Sequence, residues 1–110
     1  MAEKVQEADW RKFRELHEIA LERFCERLLE DVVDISNDDD RSARDRYHDL
    51  YSLLQDFTDE VRHAFDDPRR SRLVFQLAVI SRLGLLSADE FKRFSAPLRA
   101  RVQALGDVHE

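Results

Sequence analysis

From Trp10 to Ile35 the chain runs without a glycine or a proline, and an apolar residue returns every three or four positions. That period matches the turn of an α-helix and not the two-residue alternation of a half-buried strand. Placed at roughly 100° per residue, Trp10, Phe13, Leu16, His17, Ala20, Leu21, Phe24, Leu28, Val32 and Ile35 fall in one arc. Glu15, Glu18, Glu22, Glu26 and Glu30 lie opposite. The stretch predicts an amphipathic helix ~40 Å long with Asp9 as its N-cap. Such a helix needs other helices to cover its apolar face.

The rest of the chain supplies them. Asn37 to Asp40 are four short polar residues that favour a turn. Ser42 followed by Asp45 resembles a capping box and opens a second helix, whose stripe is Tyr47, Leu50, Tyr51, Leu54, Phe57, Val61 and Phe65. Asp66-Asp67-Pro68 ends it, and Asp67 is placed to cap a third helix starting at Pro68. Leu73 to Ile80 is apolar except for Gln76. Gly84 stands at the C′ position and no pairing partner for a strand is evident, so residues 69–83 are read as the central, most buried helix. Ser87 and Glu90 form a second capping box and open a last helix. Its stripe Phe91, Phe94, Leu98, Val102, Leu105 crosses Pro97, which predicts a kink or restart near Ser95. The fold expected is all-α: a compact four-helix bundle, a single domain over 1–110, with 1–8 and 106–110 frayed.

Composition narrows the class. Two glycines and two prolines in 110 residues are too few for a turn-rich β architecture. A lone cysteine, Cys25, excludes an internal disulfide and behaves as a small apolar residue when buried. Met1 to Gln6 has no apolar core of a signal peptide, and eight residues of apolar run fall short of the ~20 that span a bilayer. The expected location is the cytoplasm. The net charge of −6 is uneven: residues 1–67 carry 20 acids and 10 bases, residues 68–105 carry 2 acids and 8 bases.

Arg69-Arg70-Ser71-Arg72, the apolar helix after it, Gly84-Leu85, Ser87 to Phe91, Phe94-Ser95 and Leu98 to Val102 resemble a family of small all-helical bacterial proteins of unknown function. Ala8 to Phe13 is similar to the same family. The resemblance implies a bacterial origin and a helical fold, and no functional residue.

Candidate chemistry is sparse. Glu60-Val61-Arg62-His63 reads as half of a di-iron ligand set, but no second copy exists and His63 falls on the solvent side of its helix, as does Asp45-x-x-His48. Glu15-x-x-Glu18 with Asp56-x-x-Asp59 is similar to the acidic pairs of all-α phosphohydrolases that hold Mg²⁺, yet all four carboxylates face away from the stripes. Asp34 with Asp38 to Asp40 lacks the glycine and glutamate of a calcium loop. His17 and Asp31 lie inside the apolar arc and are read as buried polar residues, the histidine donating to a backbone carbonyl. Tyr47 and Tyr51 are placed on a core face. Arg69, Arg70 and Arg72 open a helix and form a candidate polyanion site, with pairing inside the chain as the alternative.

No cofactor or metal is expected. The favoured function is a non-catalytic interaction or regulatory module that self-associates, as a homodimer, with an unknown protein partner. A basic-face binder of nucleic acid or another polyanion through 69–101 ranks second, and a metal-dependent phosphohydrolase third. The motive for the homodimer is surplus apolar surface: Ile19, Leu29 and Val33 lie outside an already broad arc.

Overall fold

The first helix runs longer than its apolar stripe. In the computed structural model, which describes residues 4–108, α1 spans Glu7–Ser36. The turn at 37–42 reverses the chain into α2, Ala43–Ala64. A single 3-10 turn, Arg70–Arg72, leads into α3, Leu73–Arg82. Two further helices follow, α4 (Ala88–Phe91) and α5 (Ala96–Val108). The described residues contain no strand, so the all-α reading holds, with five α-helices where four were expected. Residues 7–8 and 106–108, expected to fray, are helical; 1–3 and 109–110 lie outside the described residues.

Local chemistry sets the helix ends. Ser42 Oγ accepts from Asp45 N at 3.1 Å, satisfying one of the free N–H groups of α2. Asp38 Oδ1 accepts from Asp40 N at 3.1 Å in the connecting turn. Arg46 donates to Ser36 O at 2.6 Å, so α2 closes the carboxyl end of α1. At the end of α3, Gly84 N reaches Ser81 O at 3.0 Å and Leu85 N reaches Ile80 O at 3.3 Å, the two bonds of a Schellman motif. Gly84 has φ +71, which glycine adopts without steric cost.

Two expected caps are replaced. Asp9 does not cap α1, which begins after Gln6; it is 4% exposed inside the first turn. Its carboxylate accepts from Ser95 N at 2.8 Å and from Ser95 Oγ at 2.6 Å, tying the start of α1 to the start of α5. Asp67 does not cap a helix at Pro68. Its φ is +51, and its carboxylate takes the Arg69 guanidinium instead, so the helix starts later, through the 3-10 turn. The last segment is two helices rather than one. Lys92 to Ser95 separate α4 from α5, and Pro97 sits in the first turn of α5, where the missing N–H has no acceptor to lose.

The core occupies one end of the molecule. Leu73, Leu77 and Ile80 on α3 are at most 1% exposed and pack with Phe13, Leu16, Ala20, Phe24, Ala64 and Phe65 of the hairpin and with Phe94, Leu98 and Val102 of the last segment. α3 is the shared neighbour of α1, α2 and α5, as its apolar surface requires, although Phe75 remains 41% exposed. Gln76, fully buried, donates to Asp66 O at 2.8 Å.

Beyond Phe24 on α1, and before Ala64 on α2, no residue is buried. The α1–α2 hairpin therefore leaves the core as a two-helix arm. The radius of gyration is 16.6 Å and the extents are 54 × 24 × 23 Å. A compact chain of this length would have a radius near 13 Å. The expected compact bundle is thus a head with a projecting arm.

Removing the Asp9 carboxylate would leave two Ser95 donors in a half-buried joint. Asp9→Ala is expected to lower the unfolding free energy by about 1–3 kcal/mol. Urea denaturation followed by circular dichroism measures it; a loss under ~0.5 kcal/mol, the usual range of surface substitutions, would refute the tie.

Candidate interaction surface

The arginine cluster is engaged within the chain. Arg69 pairs with Asp67 at 2.9 Å. Arg70 pairs with Glu7 and lies 5.7 Å from the centre of the Trp10 ring. Arg72 donates to the carbonyls of Asp66 at 3.1 Å and Asp67 at 3.4 Å. The three guanidinium groups bind the α2 end of the α2–α3 connection and the start of α1.

His17 is half-buried, and its Nε2 lies 3.1 Å from Phe65 O, the backbone contact expected of it. Desolvation lowers its pKa, opposed by that hydrogen bond. Asp31, expected to be buried, is exposed. The arc that contains it continues past Phe24, but the head that would cover it does not. Tyr47 and Tyr51 are likewise 65% and 55% exposed rather than on a core face. Cys25 is half-buried. His48, Asp59, Glu60 and His63 are exposed on α2. Among the described residues no three His, Cys, Asp or Glu side chains converge closely enough to hold a metal ion. No described helix is long and apolar enough to cross a membrane.

Two basic residues on α1 hold the α3–α4 connection. Arg23 donates to Leu85 O at 2.8 Å and forks onto Glu90 at 2.7 and 3.0 Å. Arg27, one turn on, donates to Leu83 O at 2.7 Å. Glu90 also accepts from Ser87 N at 2.8 Å, so one carboxylate completes the capping box and anchors α4 to α1. The Arg23 hydrogen bond, followed by that of Ser87 N–H, lowers the Glu90 pKa to about 2. The unfolded chain binds this proton near 4.5, so the contribution of Glu90 is complete above that pH and falls as pH drops toward 2. Glu90→Gln is expected to flatten stability between those values, measured by urea midpoints across pH. An unchanged slope would show that the pair contributes nothing.

The arm presents two flanks. On one side a groove of about 280 Å³ runs between the helices, floored by Phe24, Leu28, Leu53, Phe57 and Leu83 and edged by Arg27, Asp31, Asp56 and Glu60. Phe24 and Phe57 stack at 4.8 Å beneath it. Measured along the helical turn from Leu28 and Phe57, the groove edges lie to one side on both helices. Leu29 and Val33 on α1, and Tyr47, Tyr51 and Leu54 on α2, lie roughly 60–140° to the other. In an antiparallel pair these displacements point to the same face. That face therefore collects five large apolar side chains that are 48–65% exposed. Periodicity indicated Leu29 and Val33 as surplus; it did not place the two tyrosines beside them.

No protein-family model, curated protein or solved structure matches the chain, so the resemblance to a small helical bacterial family rests on its sequence motifs alone.

Proposed function

We propose that this protein is a non-catalytic protein–protein interaction module of the bacterial cytoplasm, and that it self-associates as a homodimer through the outer flank of the arm. The observation that carries this reading is the group Leu29, Val33, Tyr47, Tyr51 and Leu54, five large apolar side chains on one face of an arm that contains no buried residue. An exposed patch of this kind marks a contact surface. A two-fold pairing of arms would make a four-helix bundle from two hairpins, with Glu22 and Glu26 at its margin. Sedimentation equilibrium at micromolar concentration tests it: the expected mass is twice 13.0 kDa, and a mass that stays at 13.0 kDa would refute self-association.

Polyanion binding through 69–101 is the weaker reading. Arg69, Arg70 and Arg72 already hold Asp67, Glu7 and the Asp66 and Asp67 carbonyls, and a phosphate would have to displace them.

A further inference from the structure

The inner flank of the arm has a different character from the outer one. In the head, α3 fills the valley between α1 and α2. It ends at Arg82, and Leu83, held by Arg27, forms the end wall of the groove. α1 continues nine residues past Arg27 to Ser36, or ~14 Å. The valley continues with it, but no helix fills it. Its floor residues Leu28, Leu53 and Phe57 are left half-buried. Its edges carry Asp31, Asp56 and Glu60, whose carboxylates form no ion pair or hydrogen bond among the described residues, while Arg27 is occupied by Leu83 O. From Leu28 to Glu60 the arm holds eleven acids and three arginines, a net charge of −8 apart from His48.

We propose that this groove receives a basic amphipathic helix of a partner protein, laid end to end with α3 as its continuation. The site is separate from the self-association flank, and it rests on the arm being an interaction element. The apolar floor takes the i, i+3, i+4 face of the incoming helix, as α1 and α2 take that of α3. The acid edges take its lysines or arginines. An acidic or neutral helix would leave three carboxylates facing like charge or apolar surface, which disfavours it. The groove is open and about two turns long, which suits a helix face better than a small molecule.

The test uses the full chain and fluorescein-labelled peptides of about 12 residues: a Leu/Lys amphipathic helix, its Leu/Glu counterpart and a scrambled Leu/Lys sequence. Fluorescence anisotropy is expected to show saturable binding of the first alone. Asp31→Asn/Asp56→Asn/Glu60→Gln should weaken that binding roughly tenfold or more. Asp38→Asn/Asp39→Asn/Asp40→Asn, the same charge change at the tip, should alter it less than twofold. Equal losses in both triple variants would reduce the effect to general attraction and overturn the proposal, as would equal binding of the scrambled peptide. A groove variant that changes the sedimentation mass would show the groove to be a contact between copies, and would overturn it too. Binding that persists in a monomeric outer-flank variant would separate this site from self-association.

Discussion

Leu77→Ala is expected to lower the unfolding free energy by about 2–5 kcal/mol, the range for removing a buried leucine side chain. Leu77 is 1% exposed on α3, and its neighbours Leu73 and Ile80 are sealed as well. Three helices meet on α3, so none of them can close the resulting cavity without leaving the others. A rigid surround keeps the cost near the upper part of that range. Domains of this size have only about 5–15 kcal/mol in total, so one truncation removes a large share. Leu29→Ala provides the contrast. It deletes the same atoms from a position 62% exposed, and in the monomer it should change stability by no more than ~0.5 kcal/mol. Urea denaturation of both variants, at a concentration that keeps the protein monomeric, measures the difference. A Leu77→Ala loss below ~1 kcal/mol would mean that α3 is not the shared centre of the head.

What was legible in the sequence was what the chain decides within a few residues. Ser87 and Glu90 form their capping box, Gly84 terminates α3, and Leu73, Leu77 and Ile80 are buried, because spacing and backbone chemistry fix those outcomes locally. Asp9 shows the limit. A carboxylate near a helix start is equally suited to cap that start or to hold a second one, and only the tertiary arrangement brings Ser95 within 2.8 Å. Arg27 falls within the apolar arc and Arg23 at its edge, but their role is not legible locally, because the backbone carbonyls they hold, those of Leu83 and Leu85, are 56 or more residues away and only the fold brings them near. The largest departure concerns length. Periodicity identifies which face of a helix can be covered, but not how far the covering element reaches. α1 keeps its stripe to Ile35 while α3 stops at Arg82, and this places Asp31 in solvent. Tyr47 and Tyr51 are exposed for a different reason: they share a stripe with Phe57 and Val61 but turn to the outer flank, away from the valley that α3 fills.

The outer flank of the arm yields the second large effect. Leu29→Glu together with Tyr51→Glu is expected to weaken self-association at least about 100-fold, since two unpaired charges at the centre of an apolar contact cost several kcal/mol and each ~1.4 kcal/mol is tenfold. Both residues are more than half exposed in the isolated chain, at 62% and 55%, so the change has little to disturb in the fold. Circular dichroism spectra and urea midpoints of the variant, compared with the parent as a monomer, should coincide within ~0.5 kcal/mol. The mass should fall from twice 13.0 kDa to 13.0 kDa at the same micromolar concentration. Tyr47 and Val33 extend the same face toward the tip, and Leu54 extends it toward the head, so Tyr47→Glu alone should act in the same direction with a smaller effect. Placing the charge on the inner flank instead, with Leu53→Glu, should leave the dimer intact, because that residue floors the groove rather than the outer face. A dimer that survives Leu29→Glu/Tyr51→Glu and dissociates with Leu53→Glu would reverse the assignment of the two flanks. A parent chain that sediments at 13.0 kDa throughout would remove self-association itself, and the five exposed apolar side chains would then need a different protein to cover them.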